Sequence, residues 1–363
     1  MSDLQALVDA VLREPLAGAR AHHASGGRVI GMVGADIPVE ILLACGAMPL
    51  QLPVLADRLT PLADRYLEPG FSPGSRSIAE QWLSGAFGML EAVVFSRADD
   101  SAQRLYYYLC ELQRSGLAAG PRPVLYDVAK IPRPTSRQHT EDSTVRLANE
   151  LGCDLTALPD AIERRNRRRR LLATLTLLRE SQAAPSGPEV ERLSRAMELA
   201  FGLEFDTALA AWLERPRPVH TGPRLVLVGS VPPDGRLHDA VEAAQGRIVD
   251  EVGDHSLARF GAPLAGATLR SISDHYHALP CGSRGFEDRS ARLLERVVAC
   301  RAQGVILWLI EEDEALVWDA PVMQQRLSAA GIPVLTLTRR RWDLRDDALE
   351  LIGGFTARLR QTQ

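Results

Sequence analysis

Acidic side chains follow two apolar stretches of this 363-residue chain. Asp99 and Asp100 come after EAVVF, and Glu311, Glu312 and Asp313 come after VILWLI. Carboxylates grouped in this way can raise one another's pKa or bind a hard cation such as Mg²⁺ or Ca²⁺. We expect these groups to face each other across a cleft between two lobes. The alternative is helix capping, because Asp and Ser at a strand-to-helix turn are ordinary N-caps.

An internal repeat predicts the elements that position these acidic groups. Residues 30–52 and 225–252 share one order: an apolar strand, a Val-Gly turn, a proline, an amphipathic helix and a second strand. Residues 88–128 and 301–340 continue the repeat with strand, helix and strand. Short, continuous apolar runs are typical of parallel strands that helices cover on both faces. The sequence therefore predicts two doubly wound α/β lobes, which bind ligands beyond the carboxyl ends of their strands.

Three parts of the chain are predicted: residues 1–135, 136–222 and 223–363. The first contains N-terminal helices and one α/β lobe, and the last contains the second lobe. The middle part has a helical pattern and bridges them. It carries a basic run of Arg164, Arg165 and Arg167–Arg170. We interpret that run as a solvated helix face, and a contact with an acidic partner or a nucleotide-bearing ligand is the alternative.

The composition and the apolar patterning disfavour several classes of protein. A net charge of -4, with 46% hydrophobic and 24% charged residues, is ordinary for a soluble globular protein and disfavours nucleic-acid binding. The N-terminus lacks the basic and apolar regions of a secretory signal. Apolar runs stay below the ~18 residues that cross a membrane. We therefore expect a cytoplasmic protein without membrane contacts.

The cysteines and histidines give weak signals. No metal-type spacing joins the five cysteines, which are Cys45, Cys110, Cys153, Cys281 and Cys300. We expect inert buried thiols in the helical segments; Cys281 lies in a turn, where a structural role is still favoured over a nucleophile. For the pair His275 and His277, a loop contact or a surface position is favoured over a metal site.

Spaced residues near the start of the first lobe resemble a known motif. The pattern G-x₆-P-x-E-x₃-A-x-G-x₂-P is formed by Gly31, Pro38, Glu40, Ala44, Gly46 and Pro49. It is similar to the opening motif of the 2-hydroxyacyl-CoA dehydratase and benzoyl-CoA reductase family. Later family features follow in the same order, at Val93–Phe95, Arg104–Leu105, Gly304–Ile306 and Asp319–Pro321.

This resemblance implies two flavodoxin-like lobes that hold an iron–sulfur cluster through three cysteines, with an acyl-CoA substrate beside it. It also implies two related subunits and a separate ATP-dependent electron activator. Thiolates are suited to this task because soft sulfur ligands hold iron and tune its reduction potential.

The chain departs from the family pattern at the cysteine positions. In the family register, the three cysteines fall on Ser72 (which precedes Arg76), Asp99 and, within a residue or two, Asp313. A serine that members often carry falls on Ala35. Hydroxyl and carboxylate groups are hard ligands and replace thiolates poorly. We therefore expect this chain to carry no cluster of its own.

The resemblance leads to a ranked set of functions. The first is a cluster-free subunit of a 2-hydroxyacyl-CoA dehydratase or benzoyl-CoA reductase-like complex, acting on acyl-CoA thioesters. Its partners would be an ATP-dependent activator and a paralogous subunit that carries a [4Fe-4S] cluster. Whether the chain itself catalyses a lyase or oxidoreductase reaction stays open. The alternatives are a repurposed protein that binds a divalent cation or a new ligand in the cleft, and a non-catalytic scaffold for acyl-CoA or a partner.

Candidate site residues follow from the predicted strand ends and from the family register. The predicted catalytic residues are Glu40, Arg76, Asp99 and Asp313. The predicted substrate-binding residues are Ala35, Asp36, Ser72, Ser96, Gly229 and Ser230. A hard metal, if bound, is expected at Asp99 and Asp313.

Overall fold

The computed structural model describes residues 3–200, 202–281 and 287–361. The chain divides into two compact units. The first unit comprises Met1–Leu172, Arg195–Trp212 and Ala258–Phe286. The second unit comprises Ala173–Ser194, Leu213–Leu257 and Glu287–Gln363.

Each unit contains one four-stranded parallel sheet. The strands are β1 (Arg28–Val33), β2 (Ala47–Gln51), β3 (Ala92–Ser96), β4 (Arg122–Tyr126), β5 (Arg224–Gly229), β6 (Arg247–Val252), β7 (Gly304–Ile310) and β8 (Val334–Arg340). The strand orders are β2-β1-β3-β4 and β6-β5-β7-β8, which are the same order in two copies. This is the flavodoxin-like order, with its reversal between the first and third strands. The predicted pair of doubly wound α/β lobes is confirmed.

Helices alternate with the strands and cover the sheets. They are α1 (Asp3–Arg13), α2 (Ala17–Ala24), α3 (Val39–Ala44), α4 (Pro73–Leu83), α5 (Asp100–Arg114), α6 (Pro134–Leu151), α7 (Leu158–Glu180), α8 (Gly187–Leu199), α9 (Leu203–Leu213), α10 (Arg236–Ala243), α11 (Leu269–Ala278), α12 (Arg289–Ala299), α13 (Glu314–Val317), α14 (Ala320–Ala329) and α15 (Ala348–Gln361). Across the described ranges, no helix combines the length and apolar character needed to cross a membrane.

The central strands of the first unit are buried on both faces. Ile30 and Val94 belong to one hydrophobic cluster, whereas Val29 and Val93 belong to a second cluster. Neighbouring residues of a strand point to opposite faces, so adjacent positions must all be apolar when both faces are covered. This explains the continuous apolar runs in the sequence.

In each unit a glycine lies at the end of the first strand, and the two glycines occupy equivalent positions. Gly34 has φ +114°, and a Cβ atom there would lie 2.5 Å from Cβ of Ser96. Gly229 has φ +122°, and its Cβ would lie 2.1 Å from the carbonyl oxygen of Trp308. In both units the chain therefore turns closely past the neighbouring central strand, which only glycine allows. This close turn explains why each copy of the repeat has a Val-Gly pair at this point.

Candidate functional site

The switch point of the first sheet contains three of the predicted residues. Ser96 ends β3, and its buried hydroxyl accepts a hydrogen bond from the backbone N–H of Ala98 at 3.1 Å. Ala35 packs against the hydrophobic cluster beside it. Asp36 is only 2% exposed, and its Oδ2 lies 3.4 Å from Nζ of Lys130. The carboxylate at this strand end thus faces a buried ammonium group.

Lys130 joins Asp36 to a cysteine. Its Nζ donates to the carbonyl oxygen of Leu279 at 2.8 Å and to Sγ of Cys281 at 3.3 Å. Burial lowers the pKa of Lys130, but the Asp36 carboxylate and the Cys281 sulfur raise it, and the net direction is upward. Lys130 is therefore a cation here, which suits an ion pair rather than nucleophilic catalysis.

Glu40, in the first turn of α3, is completely buried. Its Oε1 lies 2.6 Å from Nη1 of Arg169, and its Oε2 accepts a hydrogen bond from the hydroxyl of Tyr276 at 2.8 Å. Burial raises the pKa of Glu40, but the guanidinium groups of Arg169 and Arg165 lower it to below its ordinary value. Glu40 is therefore an ionised carboxylate inside the first unit.

Arg169 is the centre of this buried network. Its Nε donates to the carbonyl oxygen of Phe260 at 2.8 Å, and its Nη2 lies 3.2 Å from Nε2 of His275. Burial and the neighbouring Arg169 lower the pKa of His275 to about 4. The ring is thus neutral near pH 7, and its Nε2 can accept the hydrogen bond from Arg169. We call Glu40, Arg165, Arg169, His275 and Tyr276 the buried ionic cluster.

The solvated face expected for the basic run is wrong for three of its arginines. Arg165, Arg168 and Arg169 are at most 8% exposed. Arg168 pairs with Asp206 at 2.7 Å. The i, i+3, i+4 spacing places these arginines on the same helix stripe as buried Ala161. Only the remaining members of the run are exposed, at Arg164, Arg167 and Arg170.

Ser72 and Arg76 lie at the start of α4. Ser72 is its N-cap, and its Oγ accepts from the backbone N–H of Ser75 at 3.2 Å. Nη1 of Arg76 lies 2.6 Å from Oδ1 of Asp64. Both side chains thus have local structural partners, and Ser72, which we expected at the first cysteine position of the family, is a helix cap.

Asp99 is the N-cap of α5. Its Oδ1 accepts a hydrogen bond from the backbone N–H of Ala102 at 3.0 Å. This is the capping geometry that the sequence allowed as an alternative to catalysis or metal binding.

In the second unit, the predicted residues Ser230 and Asp313 lie in direct contact. The hydroxyl of Ser230 donates to Oδ2 of Asp313 at 2.8 Å and accepts from the backbone N–H of Ile310 at 3.1 Å. Burial raises the pKa of Asp313 above its ordinary value, although the Ser230 hydrogen bond lowers it. Gly229 immediately precedes this pair and allows the close turn at the end of β5. The sequence thus located a polar contact at this switch point.

A model of the 2-hydroxyglutaryl-CoA dehydratase D-component family matches residues 35–354. The chain belongs to this family. The match includes strands of both sheets, so it covers parts of both copies of the repeat. No curated protein gives a match. Membership indicates the role of a dehydratase component and confirms the family resemblance.

The five cysteines of this dehydratase-family chain all lie within the described residues. Within residues 3–200, 202–281 and 287–361, no group of three or more His, Cys, Asp or Glu side chains could hold a metal ion. Cys45 and Cys153 share a hydrogen bond, and Cys281 contacts Lys130. Burial raises the pKa of Cys45 to about 12 and that of Cys300 to about 11.

The sequence analysis missed several buried polar partners. Lys130 and Tyr276 gave no motif, because their partners lie far away in the chain; Tyr276 and Glu40 are 236 residues apart. A second missed network lies in the second unit, where Glu251 contacts Arg179 at 3.1 Å and His238 at 2.8 Å. The arginine spacing in α7 was a usable signal, since three arginines occupy one helix stripe.

Proposed function

We propose that this chain is a cluster-free subunit of a 2-hydroxyacyl-CoA dehydratase or benzoyl-CoA reductase-like complex. It would pair with a paralogous subunit that carries a [4Fe-4S] cluster, and an ATP-dependent activator would supply the electrons. Acyl-CoA thioesters are the expected substrates. Family membership supports the dehydratase-component part of this proposal.

The main support for the proposal is the chemistry of Ser72, Asp99 and Asp313, which stand at the expected cysteine positions. Ser72 and Asp99 cap helices, and Asp313 accepts a hydrogen bond from Ser230. These oxygen groups satisfy backbone and hydroxyl donors of this chain, and hard oxygen ligands are poor substitutes for thiolates on iron. The fold of the family is retained while its soft ligands are absent at these positions. Such a chain can position a partner or substrate without holding the redox group.

The test is anaerobic expression of the chain by itself and together with its genomic neighbour of the same family. We expect iron and sulfide, at cluster stoichiometry, only in the co-purified complex. We also expect acyl-CoA turnover only when the activator and ATP are added. A control preparation of the neighbour alone should carry the cluster. A stoichiometric, EPR-active cluster on the isolated chain would contradict the proposal.

A second candidate is a cation site, and the half-buried carboxylate of Asp313 is the observation that favours it. A divalent cation near Asp313 would compensate the cost of burying its charge. Mg²⁺, Ca²⁺ or Mn²⁺ should then raise the melting temperature, because a ligand that binds only the folded state stabilises it. Asp313→Asn should remove this shift, and Asp99→Asn tests whether Asp99 contributes. If these cations raise the melting temperature of the double variant Asp99→Asn with Asp313→Asn as much as that of the wild type, the cation site is ruled out.

A further inference from the structure

Four arginines of α7 are buried, and they differ in their partners. Arg169 pairs with Glu40 at 2.6 Å, and Arg168 pairs with Asp206 at 2.7 Å. Arg165 is 8% exposed, and its buried Nε has no hydrogen-bond partner among the described residues. Buried guanidinium groups are costly unless a carboxylate or several acceptors compensate them. Nε of Arg179 also has no hydrogen-bond partner among these residues, but Arg179 pairs with Glu251 at 3.1 Å. Within the described ranges, Arg165 is therefore the buried arginine of this helix that has no ion pair.

The guanidinium of Arg165 contacts an aromatic ring. Its Cζ lies 5.2 Å from the ring centroid of Phe260, which is a cation–π contact. Such a contact compensates part of the charge but accepts no hydrogen bond from the five N–H groups of a guanidinium. Burial lowers the pKa of Arg165 to about 10, so the group is still a cation near pH 7.

The buried ionic cluster contains one positive charge in excess. Glu40 is the carboxylate of the buried ionic cluster, and it already contacts Arg169. His275 is neutral near pH 7, and Tyr276 uses its hydroxyl hydrogen on Glu40. Within the cluster, one carboxylate thus faces two guanidinium groups. An anion from outside the chain would restore the balance.

We propose that Arg165 anchors an anion-binding site in the first unit, which takes the carboxylate or phosphate group of a small-molecule ligand. A planar guanidinium binds such oxygen pairs through two parallel hydrogen bonds. An acyl-CoA carries phosphates, and a dicarboxylic acyl group adds a carboxylate, so both sources share this chemistry. The site is a property of the isolated chain and does not depend on the proposed subunit role.

The experiment measures anion binding on the full chain alone, so it remains informative if the subunit proposal fails. Glutarate and inorganic phosphate are titrated at constant ionic strength against chloride, with neutral glutaramide as a ligand control. Binding is followed by calorimetry and by the melting temperature. We expect saturable binding of at least one of the two anions and none of glutaramide. Glutarate alone indicates a carboxylate ligand, and phosphate alone indicates a phosphate ligand.

Two variants identify the site. Arg165→Met keeps a long side chain without charge and should weaken binding at least about 10-fold. Arg167→Met, on the exposed face of the same helix, should bind like the wild type. If Arg165→Met does not fold, Arg165→Lys replaces it and should also bind more weakly, because an ammonium lacks the paired donors. The proposal is overturned if neither anion binds better than chloride, or if the affinity of the Arg165 variant equals that of Arg167→Met.

Discussion

Removing Arg169 tests whether the buried ionic cluster holds the first unit together. In Arg169→Met, the carboxylate of Glu40 keeps the Tyr276 hydrogen bond but loses the guanidinium at 2.6 Å. Both members of the pair are at most 1% exposed, so water cannot replace the lost partner. Breaking a buried ion pair from one side costs about 3–5 kcal/mol. Glu40→Gln should cost a similar amount, because two guanidinium groups then lack their carboxylate.

The double variant Glu40→Gln with Arg169→Met separates pair loss from general damage. With both charges removed, the cost should be at least about 2 kcal/mol smaller than the sum of the single variants. Because the chain has two units, one overall unfolding free energy is poorly defined. Amide hydrogen exchange measured by mass spectrometry reports on each segment instead.

Exchange in α3 and α11 should accelerate by about 10²- to 4 × 10³-fold in each single variant, as expected from 3–5 kcal/mol at about 1.4 kcal/mol per factor of ten. Exchange in β7 of the second unit is the internal reference. Arg167→Met, an exposed change on the same helix, should stay within about 0.5 kcal/mol of the wild type. Unchanged exchange of α3 in Arg169→Met would refute the structural role of the ion pair.

Three further predictions concern single side chains. The pKa of His275 falls from 6.5 to about 4 on folding. Between these pH values the unfolded chain binds an extra proton, so stability drops as the pH falls from 6.5 towards 4. Thermal melts of His275→Gln should show a smaller drop than the wild type, whereas His23→Gln, at an exposed position, should show the wild-type drop. Asp99→Ala should cost about 1 kcal/mol and Asp99→Asn much less, since Asn also caps helices; equal losses in chemical denaturation would argue against capping. Gly229→Ala should lower the free energy of unfolding by at least about 2 kcal/mol, because its Cβ would lie 2.1 Å from a carbonyl oxygen and its φ is +122°. Gly353→Ala is the control: this residue lies inside α15 with open space around it, and the change should not destabilise the fold.

The sequence by itself predicted the architecture because its signals are local. Continuous apolar runs give buried parallel strands, and the Val-Gly pairs at Gly34 and Gly229 give the close turns after them. An Asp at a strand-to-helix junction acts as a cap at Asp99. These patterns need only a few neighbouring residues, so they can be read without knowing the partners.

Only the tertiary structure decided which charged groups are buried and with which partners. The arginines of α7 suggest an exposed face until Glu40 and Asp206 are found beside them. Lys130 has no motif, yet it lies between Asp36 and Cys281. A charge can be buried only where a distant part of the chain supplies its counter-charge or acceptor, and local spacing does not encode that meeting. For the same reason Arg165 is recognised only in three dimensions, as a buried cation whose Nε has no hydrogen-bond partner among the described residues.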